Sequence, residues 1–265
     1  MKARMLVLSF VMTAAAVAAY VAPEPLLTPA DGSPIPVAGG SGNVAIADLN
    51  RDTKPDLVVL SGMSRRVTIL LGDGRGRFER PTNGLAVPES PNEIAMGDID
   101  ADGSVDLALA SHDSHNVTLL LGDGRGGFRP SPRSPIVMRD GPRPHTHGLA
   151  VAEVNQDGRL DLATVNSDDN NDVSIALNDG QGRFTRTPGS PFAVAPSPYP
   201  MAQGDLDGDG DVDLVVSSTG LSLPAAAAAA NRRLTMLLGD GRGSFERRDI
   251  PLRTSGSWFV ATGDI

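Results

Sequence analysis

The stretch Asp205-Leu-Asp-Gly-Asp-Gly-Asp-Val-Asp213 carries a carboxylate at every second position and is followed by an apolar triplet. Related stretches make four copies in all, which we call loops one to four (residues 48–56, 98–106, 153–161 and 205–213). Each copy has an oxygen-bearing side chain at positions 1, 3, 5 and 9, and position 6 is Gly except in loop one, where it is Thr53. A short loop that gathers side-chain oxygens around a sharp bend is typical of a site for a hard cation. Calcium is favoured because flexible all-oxygen shells suit it.

Two other interpretations of these loops have to be weighed. An EF-hand also begins D-x-D-x-D-G, but it needs a bidentate Glu at position 12 and a following helix. Position 12 is here Val59, Leu109, Thr164 or Val216, and the short apolar run after each loop predicts a strand. The second interpretation, acidic turns that hold no metal, stays open, in particular for loop one.

The predicted calcium ligands are the side chains at positions 1, 3, 5 and 9 and the backbone carbonyl at position 7. One ion is expected in each intact loop, up to four ions in all. In loop order, the predicted ligands are Asp48, Asn50, Asp52, Lys54 and Asp56; Asp98, Asp100, Asp102, Ser104 and Asp106; Glu153, Asn155, Asp157, Arg159 and Asp161; and Asp205, Asp207, Asp209, Asp211 and Asp213, with Lys54, Ser104, Arg159 and Asp211 acting through the carbonyl.

Composition limits the fold and the partners. Only 4% of the 265 residues are aromatic while 40% are hydrophobic, which favours many thin strands of Val, Leu, Ile and Ala. The formal charge of −9 argues against a nucleic-acid partner, because phosphate binding needs a basic surface. The chain has no Cys, which excludes disulfides and thiolate sites. No catalytic constellation is recognisable, and we expect no enzyme activity.

The N-terminus predicts export. Residues 1–22 begin with two basic residues and continue as an uncharged, Ala-rich apolar run, which predicts a signal peptide, and residues 23–30 read as a linker. An uncleaved membrane anchor remains the alternative, and the protein would contact a membrane only in that case. In both cases the remainder is expected to be secreted or exposed at the cell surface.

From residue 31 onward the chain is one repeat with a period of 50 to 59 residues, measured between successive loops. A strand precedes each loop, a second follows it, and a third ends in a hairpin turn such as Gly72-Asp-Gly-Arg-Gly-Arg-Phe78, after which an outer fourth strand starts at the Phe. Four strands at this period predict an all-β fold of antiparallel β-propeller blades. The predicted blades are residues 41–88, 89–143, 144–196 and 197–253, with a partial fifth from 254.

The acidic loop, the Asp-Leu strand and the Gly-x-Gly-x-Phe turn, recurring together over residues 31–265, resemble the FG-GAP/VCBS repeats that build the propeller of integrin α-subunits. The resemblance implies a calcium ion in each intact loop and a propeller commonly of seven blades. Thr53, Glu153 and Asn155 depart from the family pattern. With four complete blades and a fifth that stops early, the chain is expected to be part of a larger propeller or to need a partner chain.

Three classes of function remain. The first is a calcium-stabilised binding or adhesion module for an extracellular glycan or protein. The alternatives are a non-binding part of an extracellular enzyme such as a polysaccharide lyase, and a structural repeat segment.

A ligand face is predicted opposite the calcium loops, because the residues six positions before each loop vary and include His147, Tyr199 and Trp258. Their rings offer surfaces for stacking on a ligand, or else they plug the axial channel. The pair His145 and His147 could hold zinc, but no third ligand lies at a suitable spacing, and a surface loop is the preferred interpretation.

Overall fold

The computed structural model describes residues 32–37, 39–81, 84–141, 144–167, 170–219, 233–252 and 260–263. The predicted signal peptide and linker, Trp258 and most of the partial fifth blade lie outside this part of the chain. The chain divides into two compact units, Met1–Pro34 and Ile35–Ile265. All four calcium-loop repeats belong to the second unit.

Four antiparallel sheets form the second unit, and we call each sheet a blade. Blade one contains β1 (Ser41–Ala47), β2 (Asp56–Ser61), β3 (Arg66–Gly72), β4 (Phe78–Glu79) and β5 (Leu85–Ala86); blade two contains β6 (Pro91–Gly97), β7 (Asp106–Ser111), β8 (Asn116–Gly122), β9 (Phe128–Pro130) and β10 (Ile136–Val137). Blade three contains β11 (Thr146–Ala152), β12 (Asp161–Asn166), β13 (Asp172–Asn178), β14 (Phe184–Arg186) and β15 (Phe192–Ala193); blade four contains β16 (Pro198–Gly204), β17 (Asp213–Ser218), β18 (Arg233–Gly239) and β19 (Phe245–Pro251). Among the described residues there is no helix, and hence none that could cross a membrane.

The predicted all-β blades are confirmed, with one difference in the outer strand. In the first three blades the outer strand consists of two short segments that both pair with the third strand. In blades two and three a Ser-Pro dipeptide lies between the segments, and proline has no N–H to donate to a ladder. The serine hydroxyls substitute as acceptors: the amide of Leu119 donates to Ser134 Oγ and the amide of Ile175 to Ser190 Oγ, both at 2.9 Å.

The core lies between the blades. The inner strands β1, β6, β11 and β16 contact one another in this order, and each adjacent pair of blades encloses its own apolar cluster. Leu60 and Leu107 belong to the first cluster, Ala108 and Leu162 to the second, and Val165 and Leu214 to the third. Burying these aliphatic faces is the main stabilising contribution, and it requires a neighbouring blade on each side.

Loops one to three are held by the following blade. The apolar residue at position 2 is buried between blades in loops one to three (Leu49, Ile99 and Val154). Its carbonyl accepts a hydrogen bond from the next blade. The donor is a backbone amide for Leu49 and Val154, and a side chain at the end of the third strand for Ile99. The donors are the amide of Gly126 to Leu49 O (3.1 Å), Asn178 Nδ2 to Ile99 O (2.8 Å) and the amide of Gly243 to Val154 O (3.0 Å). Loops one to three are therefore fixed from both sides.

Candidate metal centres

The Asp at position 9 anchors each loop. Oδ2 of Asp106 accepts a hydrogen bond from the amide of Ile99 (2.9 Å), and Oδ1 accepts one from the amide of Gly122 (2.8 Å), at the end of β8. The same pair of bonds, from position 2 and from the end of the third strand, recurs at Asp56, Asp161 and Asp213. Burial raises the pKa of the Asp106 and Asp161 carboxyls to about 6, although the hydrogen bonds from the backbone amides act in the opposite direction and lower it.

Asn178 departs from the repeat pattern at the end of the third strand. The equivalent residues in the other blades are glycines, and a Cβ on Gly122 would lie only 2.2 Å from the carbonyl oxygen of Val105. Blade three accepts a side chain there because Asn178 Nδ2 donates to the corresponding carbonyl, that of Leu160, at 3.0 Å. The anchor geometry is thus kept by a different contact.

The carboxylate at position 1 closes the loop by accepting the amide hydrogen of position 6. These bonds join the amide of Thr53 to Asp48 (2.7 Å), Gly103 to Asp98 (2.9 Å), Gly158 to Glu153, and Gly210 to Asp205 (3.1 Å). The position 5 carboxylate likewise accepts the amide hydrogen of position 7, for example Ser104 to Asp102 at 2.7 Å. Glu153, which replaces Asp at position 1 of loop three, keeps the hydrogen bond from the amide of position 6.

The backbone has positive φ at two positions of every loop. At position 6 the value is 66° for Thr53, against 79° to 91° for the three glycines. Loop one therefore tolerates the unfavourable conformation and does not bend differently. Position 4 also has positive φ, although three of its four residues are not glycine (Arg51, 61°; Ala101, 59°; Gln156, 56°). The sequence pattern did not indicate this second constraint.

The fold brings the loop carboxylates together as predicted for a cation site. Carboxylate oxygens of Asp98, Asp100 and Asp106 lie within 4.8 Å of one another, and so do those of Asp205, Asp207 and Asp213. The pKa of Asp100 is raised mainly by desolvation and secondly by the charge of Asp102. The pKa of Asp207 is raised by the same two effects, with Asp209 as the neighbouring charge. Neighbouring carboxylates therefore repel one another in both clusters, and in loop two Arg129 offsets part of this effect by lowering the pKa of Asp100.

Two buried oxygens provide a test of whether these residues fit calcium. Oδ1 of Asp98 in loop two and Oδ1 of Asn155 in loop three are buried and have no hydrogen-bond partner. Asn155 Nδ2 meanwhile donates to Asp157 Oδ2 at 3.1 Å, which explains how the amide is oriented. A buried acceptor without a partner is costly unless something else satisfies it. The donor set is all oxygen, and it fits a calcium ion.

Position 7 differs among the loops in charge. Lys54 Nζ lies 3.1 Å from Asp52 Oδ2 in loop one, and Arg159 Nη1 lies 3.1 Å from Asp157 Oδ2 in loop three. The Lys54 backbone amide first, and then its side chain, lowers the pKa of Asp52. Loops two and four have Ser104 and Asp211 at this position. Their carbonyl role in binding calcium, like that of Lys54 and Arg159, stays a prediction.

Position 4 links one loop to the next. Arg51 of loop one donates from Nη2 to Ser104 Oγ of loop two (2.8 Å) and to the carbonyl of Asp102 (3.4 Å). Gln156 of loop three donates in the same way to Asp211 of loop four. Sequence reasoning missed these contacts; the only signal is that position 4 is long and polar in loops one and three but Ala or Gly in the others.

The predicted ligand face lies at the other end of the inner strands. A β-bulge interrupts every inner strand there, for example between His147 and Leu149 in β11 and between Pro198 and Met201 in β16. The rings of His147 and Tyr199 stack on each other, with centroids 3.5 Å apart and planes at 27°. His147 is only 2% exposed, whereas Tyr199 is half-buried and can be reached from solvent. Their role in ligand binding stays a prediction.

The assignment to a surface loop is wrong for His147, whereas His145 lies just before β11 and is half-buried. His147 lies in β11 and is buried, and His112, from the turn between β7 and β8, meets both side chains. The centroid of the His112 ring lies 4.1 Å from that of the His145 ring and 4.9 Å from that of the His147 ring. The preceding blade therefore supplies a third imidazole beside the pair, which local spacing did not indicate.

Comparison with known proteins agrees with this architecture. The FG-GAP-like repeat matches residues 48–109, 98–164 and 153–216, each match running from one of the four acidic loops into the second strand of the next blade. No curated protein matches the chain.

Two solved structures share the fold. BBS1N, in complex with ARL6DN and soaked with lead, has a TM-score of 0.55 at 15% identity, over 83% of this chain and 59% of that chain. An Agrocybe aegerita lectin that specifically recognises non-reducing terminal N-acetylglucosamine has a TM-score of 0.50 at 18% identity, over 80% of this chain and 53% of that chain. The chain thus spans between about half and three-fifths of these structures. Because the repeat matches cover residues 48–216, well over half of the sequence, the protein belongs to the FG-GAP-like repeat family.

Proposed function

We propose that the protein is a secreted or surface-exposed β-propeller module that is stabilised by calcium and binds an extracellular glycan or protein without catalysis of its own. The observation that carries the calcium part is the buried, unpartnered Oδ1 of Asp98, within a cluster of carboxylate oxygens. A bound ion supplies positive charge to oxygens that have no other partner, and it holds the first and second strands of a blade together through the loop.

The binding part of the proposal is supported by the fold and by the residues at the face opposite calcium. Of the two solved structures compared above, one is a lectin and the other is bound to a protein, which is consistent with a recognition role for this kind of fold. Tyr199 presents an aromatic ring that is partly open to solvent, and such rings combine an apolar face with a polar edge. Trp258, outside the described residues, is the further candidate.

Calcium titration of the purified protein tests the first part. We expect isothermal titration to give ions in at least loops two and four, and Asp102→Ala and Asp209→Ala each to remove one ion from the measured stoichiometry. Asp113→Ala is the matched control, because Asp113 is exposed and lies outside all four loops. A stoichiometry of zero, or one unchanged in both loop variants, would contradict the calcium assignment.

A glycan array followed by affinity measurement tests the binding part. Tyr199→Ala should weaken binding of any glycan found and leave the calcium stoichiometry unchanged, while Tyr199→Phe retains the ring and should bind almost normally. If Tyr199→Ala binds as well as the unmodified protein, the recognition face is placed wrongly.

A further inference from the structure

Three histidines at the end of the strands opposite calcium come from two different blades. His112 belongs to the turn after β7, His145 immediately precedes β11, and His147 lies within β11. One ring nitrogen from each lies within 4.8 Å of the other two. The rings are not parallel: their planes meet at 46° to 81°, as expected for ligands that converge on one point rather than for a stack.

The backbone around the cluster keeps the two blades in register. Thr146, between the two blade-three histidines, donates from Oγ1 to the carbonyl of Ser114 at 2.8 Å and from its amide to the carbonyl of His112 at 3.4 Å. The carbonyl of His145 accepts the amide hydrogen of Ser167 at 2.8 Å. The segments that carry the rings are therefore tied to each other and to the following strand.

The β-bulge at Gly148 directs the side chain of His147. Gly148 has a φ of 59°, and a Cβ there would lie 3.0 Å from the carbonyl oxygen of Tyr199 and 3.0 Å from the side chain of Val165. A side chain there would meet both atoms at close range and adopt a strained φ, so the glycine favours the bulge that positions the His147 ring. Tyr199 stacks on that ring and limits its rotation.

A carboxylate supports the third ring. Nδ1 of His112 lies 3.0 Å from Oδ1 of Asp113, which assigns the proton to Nδ1 and leaves Nε2 with its lone pair. Metal-bound histidines almost always make such an outer contact, which orients the ring and raises its basicity. His112 is also 43% exposed, so an ion can reach the cluster from solvent.

From this arrangement we propose that His112, His145 and His147 form a second metal centre, for a transition-metal dication with zinc as its chemical fit. Three neutral imidazoles favour zinc, copper or nickel over calcium and magnesium, which prefer oxygen. Zinc–nitrogen bonds of about 2.0–2.1 Å place tetrahedral ligand nitrogens roughly 3.3 Å apart, within reach of small side-chain rotations. Three protein ligands leave a fourth position for water or an anionic group of a bound ligand.

The two kinds of metal centre are independent. Glu153, the first residue of loop three, lies six positions after His147 along the chain, which corresponds to roughly 20 Å at about 3.3 Å per strand residue. The cluster contains no carboxylate ligand, and the calcium loops contain no histidine. Zinc and calcium can therefore be measured separately on the same protein.

Zinc titration by calorimetry in saturating calcium is the direct test. We expect one zinc ion per chain, at least 100-fold weaker binding in His112→Ala and in His145→Ala, and about tenfold weaker binding in Asp113→Ala. Calcium stoichiometry should stay unchanged in all three. His112 and Asp113 are exposed enough that these variants should keep the fold, which circular dichroism checks.

Co²⁺ in place of zinc gives a second readout, because its visible absorption distinguishes tetrahedral from octahedral coordination. The unmodified protein should give the tetrahedral spectrum, and His112→Ala should abolish it. The matched control is His115→Gln, which changes the remaining histidine, in the same turn but outside the cluster, and should leave zinc affinity unchanged. Zinc binding that is absent, that survives both His112→Ala and His145→Ala, or that is lost in Asp102→Ala would overturn the proposal.

Discussion

Loops one and three hold their acidic side chains differently from loops two and four, although all four loops follow one backbone path. In loops one and three the residue at position 7 is Lys54 or Arg159, which pairs with the position 5 carboxylate of the same loop. In loops two and four that position is Ser104 or Asp211, and neither supplies a positive charge. The comparison teaches that the residue at position 7 can change its charge without changing the backbone path of the loop. Affinity depends on the charges that the protein leaves uncompensated, so loops two and four should bind calcium more tightly.

Removal of calcium should have the largest effect on stability. A ligand at about 100 times its Kd contributes about 2.7 kcal/mol per site, hence about 5 kcal/mol for loops two and four together. We expect excess EGTA to lower the free energy of unfolding, measured by urea denaturation, by about that amount.

The double variant Asp102→Ala, Asp209→Ala separates the two kinds of loop. If loops two and four dominate, EGTA should have little further effect on this variant. A large remaining effect would mean that loops one and three bind as tightly, and an unchanged denaturation curve of the unmodified protein would exclude stabilisation by calcium.

Substitution of the Asp at position 9 should have the next largest effect on the free energy of unfolding. In EGTA the loss should be equal in both kinds of loop. Asp56→Ala and Asp106→Ala each leave two buried amides without an acceptor, which costs about 1–3 kcal/mol per amide. In calcium, Asp106→Ala should be the more harmful because it also removes an ion. Equal losses in calcium would show that the two loops do not differ in affinity.

The comparison becomes sharper if the charge at position 7 is exchanged. Ser104→Lys should weaken calcium binding in loop two roughly tenfold, and Lys54→Ser should strengthen it in loop one by a similar factor, because the cation competes for the position 5 carboxylate. Ser104→Ala is the control, since it removes the contact with Arg51 without adding charge. Calorimetric titration of the single variants measures each change.

The smallest expected effect concerns Thr53. A β-branched residue with a φ of 66° is strained, and the left-handed conformation costs an ordinary residue roughly 1–2 kcal/mol. Thr53→Gly should therefore stabilise the protein by about 1 kcal/mol in thermal or urea denaturation. Ala101→Gly, at a position 4 with a φ of 59°, should give a smaller gain. Destabilisation by Thr53→Gly would show that the threonine makes a compensating contact.

The sequence predicted what depends on local spacing. The blades and the clustering of Asp98, Asp100 and Asp106 follow from residues a few positions apart, and strand alternation and turn chemistry translate such patterns directly into structure. The reach of Arg51 and the approach of His112 to His147 could not be predicted, because both cross from one blade to the next. Such contacts depend on how bulges and blade packing orient a side chain, which no single repeat encodes.

The contact between Arg51 and Ser104 has a consequence for how such a chain can change by gain or loss of repeats. Adjacent loops are matched as pairs, since the position 4 side chain of one meets the position 7 residue of the next. Loss of residues 89–143 would set Arg51 against Arg159, two positive charges in place of a hydrogen bond. Loss of blade two therefore carries an electrostatic penalty beyond the lost packing, and this blade is not a freely exchangeable module.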